Sequence, residues 1–358
     1  MQLKTLTLRL TGDCNFRCRY CYSTKSSCSL SYTSARKAID IFYPCFTHNY
    51  HLIFYGGEPL LEFPLLKKIV FLAGEKDRSN GKKALFSITT NGSLLNDDIL
   101  NFIQHHSFHV ELSFDGLAQD IQRKKSSFKA MVTLLDKLIQ SSRIDLEVNS
   151  VFTPETVGLL ADSVAFMAGM QVPRIRLSLS STTLWDDRSQ EELKKELERL
   201  EDILTKHYKE TGTIPVLNYI KKSSIGLFTC MAGQERMAVD CDGNIYGCDL
   251  FREYTKRVLD QAEIEKYCLG NLESLAENHH SVFNRTALHY SRFSQDKLRS
   301  GEEKCFLCPE LKYCGVCPVN SFLSGGTLFD IPPFLCSLNL IRIQSKKRFW
   351  ARIESLPA

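Results

Sequence analysis

Three cysteines fall within eight residues near the start of the chain, Cys14, Cys18 and Cys21 in the run Cys-Asn-Phe-Arg-Cys-Arg-Tyr-Cys-Tyr. They follow directly on Leu3 to Leu10, a run that reads as a β-strand. In sheets built from βα units the ligand-binding loops sit at the carboxyl ends of the strands, so the place of these thiols agrees with their chemistry. A [4Fe-4S] cube normally takes four thiolates. A loop that offers three leaves one iron open to another ligand, which suits catalysis better than electron storage. Taken alone, the same three thiols also read as half of a zinc site.

The rest of the composition narrows the setting. The N-terminal run Met-Gln-Leu-Lys-Thr-Leu-Thr-Leu alternates apolar with polar and lacks the charged segment and apolar core of a signal peptide. No apolar stretch approaches the ~20 residues needed to cross a bilayer. A cytoplasmic protein with no membrane partner is therefore expected. In that reducing compartment fourteen cysteines point to metal or cluster binding rather than a disulfide framework. A net charge of +4 is small for 358 residues, and the basic groups at Arg123 to Lys125, at Lys221 and Lys222, and at Lys346 to Arg348 are short and scattered. A nucleic-acid partner is excluded on that ground.

The first half alternates short β-like runs with helical stretches, the pattern of an α/β protein with a parallel sheet. After Leu3 to Leu10, strands are expected at His51 to Tyr55, Leu85 to Thr89, His109 to Phe114, Leu146 to Phe152 and Arg174 to Leu179. Six such units predict a partial, TIM-like (β/α)6 barrel over 1–212 rather than a closed eight-fold one. Ser189 to Tyr208 carries Leu193, Leu197, Leu200, Ile203 and Leu204 at helical spacing, with Ser189 as the expected cap and an end near Gly212. A connector over 213–229, a cysteine-rich second domain over 230–345 and a tail over 346–358 complete the expected plan.

Strand two ends in Tyr55-Gly56-Gly57-Glu58-Pro59. Paired glycines at a strand end let backbone approach a ligand and leave carbonyls free for an ammonium group, although the same residues also make ordinary turns. Strands three and four end in Thr89-Thr90-Asn91-Gly92 and Ser113-Phe114-Asp115-Gly116, and Asn149 sits in strand five. Together with the x3, x2 cysteine spacing and Tyr20 before the third cysteine, these runs resemble the motifs of the radical S-adenosylmethionine (SAM) superfamily. The resemblance implies that Cys14, Cys18 and Cys21 hold a [4Fe-4S] cluster whose open iron chelates SAM. It further implies that Gly56, Gly57, Glu58 and Pro59 hold the SAM amino group, and that Thr90, Asn91, Ser113, Asp115 and Asn149 lie near its carboxylate and ribose. A basic residue is expected at the SAM carboxylate, but the stretch Arg123 to Lys125 does not single one out.

A second cysteine constellation occupies the C-terminal part. Cys230 is followed after twelve residues by Gly243 and then after four by Cys248; next come Cys305-x2-Cys308-x5-Cys314-x2-Cys317, and finally Cys336. Asp242-Gly243-Asn244, between Met237-Ala238-Val239 and Ile245-Tyr246, signals a β-hairpin. Alone, Cys305 to Cys317 would read as a zinc ribbon or knuckle. The whole resembles the seven-cysteine SPASM domain, a module that carries auxiliary [4Fe-4S] clusters. By motif position Cys230, Cys248 and Cys317 would hold one cluster and Cys305, Cys308, Cys314 and Cys336 a second. The family usually has three residues between the cysteines matching Cys314 and Cys317; here there are two. Cys241 is a nearby candidate for a fourth ligand of the first cluster, whereas Cys28, Cys45 and Cys268 match no motif and read as ordinary thiols. The histidines, dense around His105, His106, His109, His279, His280 and His289, read as solvated or core residues.

The resemblance implies a radical SAM maturase that forms a 5'-deoxyadenosyl radical and oxidises or epimerises a peptide or protein, producing a thioether, carbon-carbon crosslink or epimer. A flavodoxin- or ferredoxin-type reductant is the implied electron donor. Asp249, directly after Cys248, matches the proposed general base of anaerobic sulfatase-maturing enzymes, so formylglycine formation is the alternative product. From another class, the chain would be a non-catalytic iron-sulfur carrier or a zinc-binding module, neither of which needs the Gly56 to Pro59 loop.

Overall fold

A computed structural model describes residues 2–141, 143–221, 228–275 and 289–356. The first half runs β1 (Leu3–Thr11), α1 (Tyr32–Phe42), β2 (Phe46–Gly56), α2 (Phe63–Asn80), β3 (Lys83–Thr90), α3 (Asp97–His105), β4 (His109–Ser113), α4 (Gln119–Gln122), α5 (Phe128–Ile139), β5 (Asp145–Phe152), α6 (Leu160–Gly169), β6 (Ile175–Leu179) and α7 (Asp187–Thr211). Strands β1 to β6 pair in sequence order, all parallel. Parallel strands are covered by crossover helices and so carry apolar residues. Leu6, Leu8 and Leu10 of β1, Leu52 and Phe54 of β2 and Val110 and Leu112 of β4 are accordingly buried in one core with Leu66 and Ile69 of α2. This is the expected partial (β/α)6 barrel, and every expected strand is present with ends within a few residues; β2 begins five residues earlier than its apolar run, at Phe46.

The long helix is present, with one correction to its start. Asp186, not Ser189, caps α7: its side chain accepts from the Ser189 backbone N–H at 2.8 Å. Ser189 is already inside the helix, and the chain leaves the helix at Gly212 as expected. The face bearing Leu193, Leu197, Leu200 and Leu204 is buried.

The C-terminal part contains β7 (Arg236–Val239), β8 (Asn244–Tyr246), α8 (Asp249–Thr255), α9 (Gln261–Tyr267), β9 (Cys268–Asn271), α10 (Leu272–Leu275), α11 (Pro318–Leu323) and α12 (Pro333–Glu354). The expected hairpin is β7–β8, antiparallel through Ala238 and Val239 opposite Tyr246 and Ile245. However, β7 also pairs in parallel with β1, from Thr5 opposite Arg236 to Leu8 opposite Val239. One nine-stranded sheet, in the order β6-β5-β4-β3-β2-β1-β7-β8-β9, therefore runs through both expected domains. The expected tail over 346–358 is corrected as well, because residues 346–354 continue α12. That helix packs on α7, where Arg348 and Ser345 bond the buried Glu201 carboxylate at 2.7 and 2.6 Å. A smaller aromatic core, with Phe251, Tyr254, Tyr267, Tyr290 and Phe293, lies under Cys230, Cys248, Cys268 and Cys317, whereas Cys305, Cys314 and Cys336 pack against the main core.

Candidate active site

The triplet loop leaves β1 at Thr11 and is threaded against the end of β2. Gly57 N–H donates to the Thr11 carbonyl at 2.9 Å and Glu58 N–H to the Asp13 carbonyl at 2.8 Å. These contacts explain the glycines. A β-carbon on Gly56 would come within 2.3 Å of the Thr11 carbonyl oxygen, and one on Gly57 within 1.9 Å of that of Asp13. The close backbone approach legible in the sequence is thus, in the first place, an approach to the cysteine loop itself.

Cys14, Cys18 and Cys21 open onto a cavity of about 270 Å³ at the carboxyl ends of the barrel strands. Tyr20, Gly56, Gly57, Thr90, Asn91, Ser113 and Asn149, all expected at the site, line it. Asn91 Nδ2 donates to Asn15 Oδ1 at 2.8 Å and lies 3.9 Å from Cys14 Sγ. Asn149 bridges two strands, donating to Glu111 at 3.2 Å and accepting from Ser178 at 3.1 Å.

Glu58, Pro59, Asp115 and Asp249 were expected at the site but do not line this cavity. Glu58 is fully buried. Its carboxylate accepts from Thr90 Oγ1 at 2.7 Å, Asn91 N–H at 2.8 Å and Leu60 N–H at 3.1 Å, bolting the end of β2 to the end of β3. Burial pushes its pKa up to about 7, against those three hydrogen bonds. Pro59 is buried at the start of the short turn over Pro59–Glu62. Asp115, also fully buried, is saturated by Arg123 through two bonds of 2.7 and 2.9 Å, by Tyr20 Oη at 2.9 Å and by Val151 N–H at 2.9 Å.

Of the basic stretch Arg123 to Lys125, the structure brings Arg123 to this cavity. It lines the cavity, and its guanidinium stacks 5.3 Å from the Tyr20 ring centre. Burial disfavours its charge, but the Asp115 carboxylate more than offsets this and holds its pKa raised. Its neighbourhood extends to Cys18, where burial pushes the thiol up to about 11 and Arg123 pulls it down. Tyr22, Tyr55, Glu111 and Ser180 are further cavity residues that sequence reasoning missed. For Glu111 and Asn149 a signal existed: polar residues in otherwise apolar parallel strands have to face something polar.

Asp249 pairs instead with a residue of β1. Arg9, a fully buried residue of β1, donates to it at 3.0 and 3.2 Å. Burial pushes the Asp249 carboxyl up, against the pull of Arg9. The hydroxyl of Tyr55, whose ionisation Asp249 opposes after burial, is 2.6 Å from that of Tyr22.

The C-terminal thiols fall into two sets. Burial raises the Cys248 thiol, as do the neighbouring Cys317 and Cys230 sulfurs, and these three border the aromatic core. Cys305, Cys308, Cys314 and Cys336 line a separate cavity of about 530 Å³; burial and the other three sulfurs push Cys314 up to about 11. The two residues between Cys314 and Cys317 suffice to send these neighbours to different sets. Among the described residues, no three sulfurs of the N-terminal triplet or of either C-terminal set lie within 4.8 Å of one another. Thiolates on one tetrahedral zinc sit about 3.8 Å apart for ~2.3 Å bonds, so each set is more open than a closed zinc site. Cys241 is not with Cys230, Cys248 and Cys317; it is gathered with Cys28 and Asp242. His105 and His106 pack ring to ring, and His109 bonds Asp145 at 2.9 Å; His279 and His280 lie outside the described residues.

Residues 8–167 match the sequence model of the Radical SAM superfamily. The uncharacterized protein MJ0907 of Methanocaldococcus jannaschii is 30% identical over 184 residues, 49% of this chain and 63% of that protein. The radical SAM cyclopropyl synthase TigE of Paramaledivibacter caminithermalis is 24% identical over 280 residues, 69% of this chain and 57% of TigE. The chain thus spans less than two thirds of the length of both relatives. The cysteine-type anaerobic sulfatase-maturating enzyme of Clostridium novyi is 21% identical over 73% of this chain and 76% of its own. Among solved structures, native anSMEcpe with bound AdoMet shares the fold with a TM-score of 0.74 at 17% identity, over 99% of this chain and 100% of that one.

Proposed function

We propose, from the match of residues 8–167 to the Radical SAM superfamily, that the protein is a radical SAM maturase of a peptide or protein substrate. The observation that carries the reading is the placing of three thiols of one loop around a cavity at the strand ends. Bound there, a [4Fe-4S] cluster held by Cys14, Cys18 and Cys21, together with SAM, supplies a 5'-deoxyadenosyl radical for hydrogen-atom abstraction. The chain's own residues position and shield that chemistry. The Gly56–Gly57 backbone would hold the SAM ammonium, Arg123 would offer a positive charge for its carboxylate, and Asn149 and Ser113 would offer hydrogen bonds to its ribose. Glu58 and Asp115 act one step back, holding Asn91 and Arg123 in place.

The two C-terminal thiol sets support two auxiliary [4Fe-4S] clusters, the first with three cysteines and an open position. Electrons would come from a flavodoxin- or ferredoxin-type donor in the cytoplasm. Among the described residues, no helix is long and apolar enough to cross a membrane. TigE is a cyclopropyl synthase by name; for this chain a ribosomal-peptide product such as a crosslink, thioether or epimer is the first reading. A second reading, formylglycine formation, is favoured by Asp249, which sits beside Tyr55 of the cavity wall.

The test is anaerobic incubation with SAM and dithionite, measuring 5'-deoxyadenosine by chromatography and candidate substrates by mass spectrometry. Wild-type protein releases deoxyadenosine and Cys18→Ala releases none; equal release by both refutes the assignment. With short peptides encoded beside the gene, loss of two hydrogens marks a crosslink or thioether, and unchanged mass with solvent deuterium marks an epimer. Conversion of a sulfatase-type segment alone selects the second reading.

A further inference from the structure

The turn between β7 and β8 carries two groups that the chemistry above leaves unused, the buried Cys241 and the exposed Asp242. Facing them is Cys28, from the segment that follows the cysteine triplet, 214 positions from Asp242 in sequence. Cys28 Sγ is 3.0 Å from Asp242 Oδ1. The two sulfurs and a carboxylate oxygen all lie within 4.8 Å of one another, and among the described residues no other three His, Cys, Asp or Glu side chains are gathered so closely. We infer that Cys28, Cys241 and Asp242 form a mononuclear zinc site, distinct from the three wider thiol sets and completed by a water molecule.

The donor set and its support both fit. Tetrahedral zinc with Zn–S near 2.3 Å and Zn–O near 2.0–2.2 Å places its ligands about 3.5–3.8 Å apart, so Cys28 Sγ and Asp242 Oδ1, 3.0 Å apart, must part by about 0.5 Å while the remaining separations, none above 4.8 Å, close by about 1 Å at most. Two thiolates select zinc over the hard cations magnesium and calcium, which prefer oxygen. Hydrogen bonds hold the backbone of Cys28 and of Asp242. The Cys28 carbonyl accepts from Gly12 N–H at 2.8 Å and Thr11 Oγ1 at 3.0 Å. The buried Asp240 carboxylate accepts from Asp242 N–H at 3.0 Å and Asn244 N–H at 2.9 Å, and Asn271 Nδ2 donates to the Asp242 carbonyl at 2.9 Å. Two thiolates and one carboxylate around a divalent ion leave one negative charge, which Lys256 Nζ, 3.9 Å from Asp242 Oδ2, offsets. The bound ion would tie the triplet loop to the hairpin that leads to Cys248.

The test uses the cluster-loaded protein, purified anaerobically from zinc-supplemented cells and desalted into metal-free buffer. Elemental analysis should find about one zinc per chain beyond the iron, and Cys28→Ser or Cys241→Ser should lower it at least tenfold with iron and sulfide unchanged. Zinc X-ray absorption of the wild-type protein should show two sulfur and two lighter neighbours, a readout that needs no variant to fold. Absence of zinc, retention of zinc by both variants, or a shell of three or four sulfurs, which marks zinc misplaced in a cluster site, overturns the assignment. A Cys28–Cys241 disulfide in peptide maps of zinc-free protein overturns it too.

Discussion

Replacing Glu58 by Gln should reverse part of the protein's pH dependence. The wild-type carboxyl is fully buried and its pKa is about 7, against an ordinary value of 4.5. Between those two values the folded protein holds a proton that the unfolded chain has released, so this group makes folding less favourable as pH rises from 4.5 through 7. The stability it withholds at pH 8 relative to pH 4 is on the order of 3 kcal/mol. Gln cannot ionise, but its amide cannot accept from Thr90, Asn91 and Leu60 as the carboxylate does, which costs about 1–2 kcal/mol at every pH. Glu58→Gln should therefore be the less stable protein near pH 5 and draw level with or pass the wild type near pH 8. Anaerobic urea unfolding of both proteins across that range reads the difference, in which other titrating groups cancel. Infrared difference spectra of the cluster-loaded protein give the direct check, because a protonated carboxyl band with a midpoint near pH 7 should be present in the wild type and missing from the variant. A constant stability difference from pH 5 to 8, or no such band, refutes the reasoning.

Arg123→Ala leaves the Asp115 carboxylate buried without its cation and should cost about 3–5 kcal/mol, read as a fall in urea midpoint; a loss below 1 kcal/mol would show that Tyr20, Val151 and Gln122, whose Nε2 also donates to Asp115 at 2.7 Å, suffice. Gly57→Ala places a β-carbon 1.9 Å from the Asp13 carbonyl oxygen, so the triplet loop must move. Its cluster iron, measured after reconstitution, should fall severalfold while Gly74→Ala, whose added carbon meets nothing closer than 4.0 Å, keeps wild-type loading. Asp249→Asn keeps a hydrogen bond to Arg9, and Glu253 still lies 3.7 Å from that guanidinium. A general base is worth about 10²–10⁴-fold, so substrate modification should fall at least 100-fold with deoxyadenosine release retained if Asp249 takes a proton. A fall below tenfold would make it a strut for Arg9.

Local signals were well preserved between sequence and structure. The barrel strands could be read because each is a short apolar run bounded by turn residues, and parallel strands covered by helices leave little ambiguity in such runs. The nearness of Cys14, Cys18 and Cys21, and of Cys305, Cys308 and Cys314, could be read because each trio lies in one short run, whereas Cys230, Cys248 and Cys317 come from distant segments. The cap of α7 was misplaced by three residues because Asp186 and Ser189 are both competent capping residues, and the choice depends on where the preceding loop delivers the backbone.

What could not be read is the pairing of buried charges across the chain. Arg9 in the run Leu8-Arg9-Leu10 looks like the solvated side of a strand, yet it is fully buried. Its charge is tolerated there because Asp249, 240 residues away in sequence, supplies the compensating carboxylate. That pair, with β7 added to β1, also explains why two domains read from composition are joined by one sheet: the change at Cys230 marks where the cysteines resume, but composition does not record hydrogen bonding between strands. The same reasoning bears on Asp249. Read locally, it is a carboxylate beside a cluster thiolate; placed in the fold, it is the counter-charge of a buried arginine. To accept a proton from substrate it must loosen its hold on Arg9, with Glu253 taking up that charge.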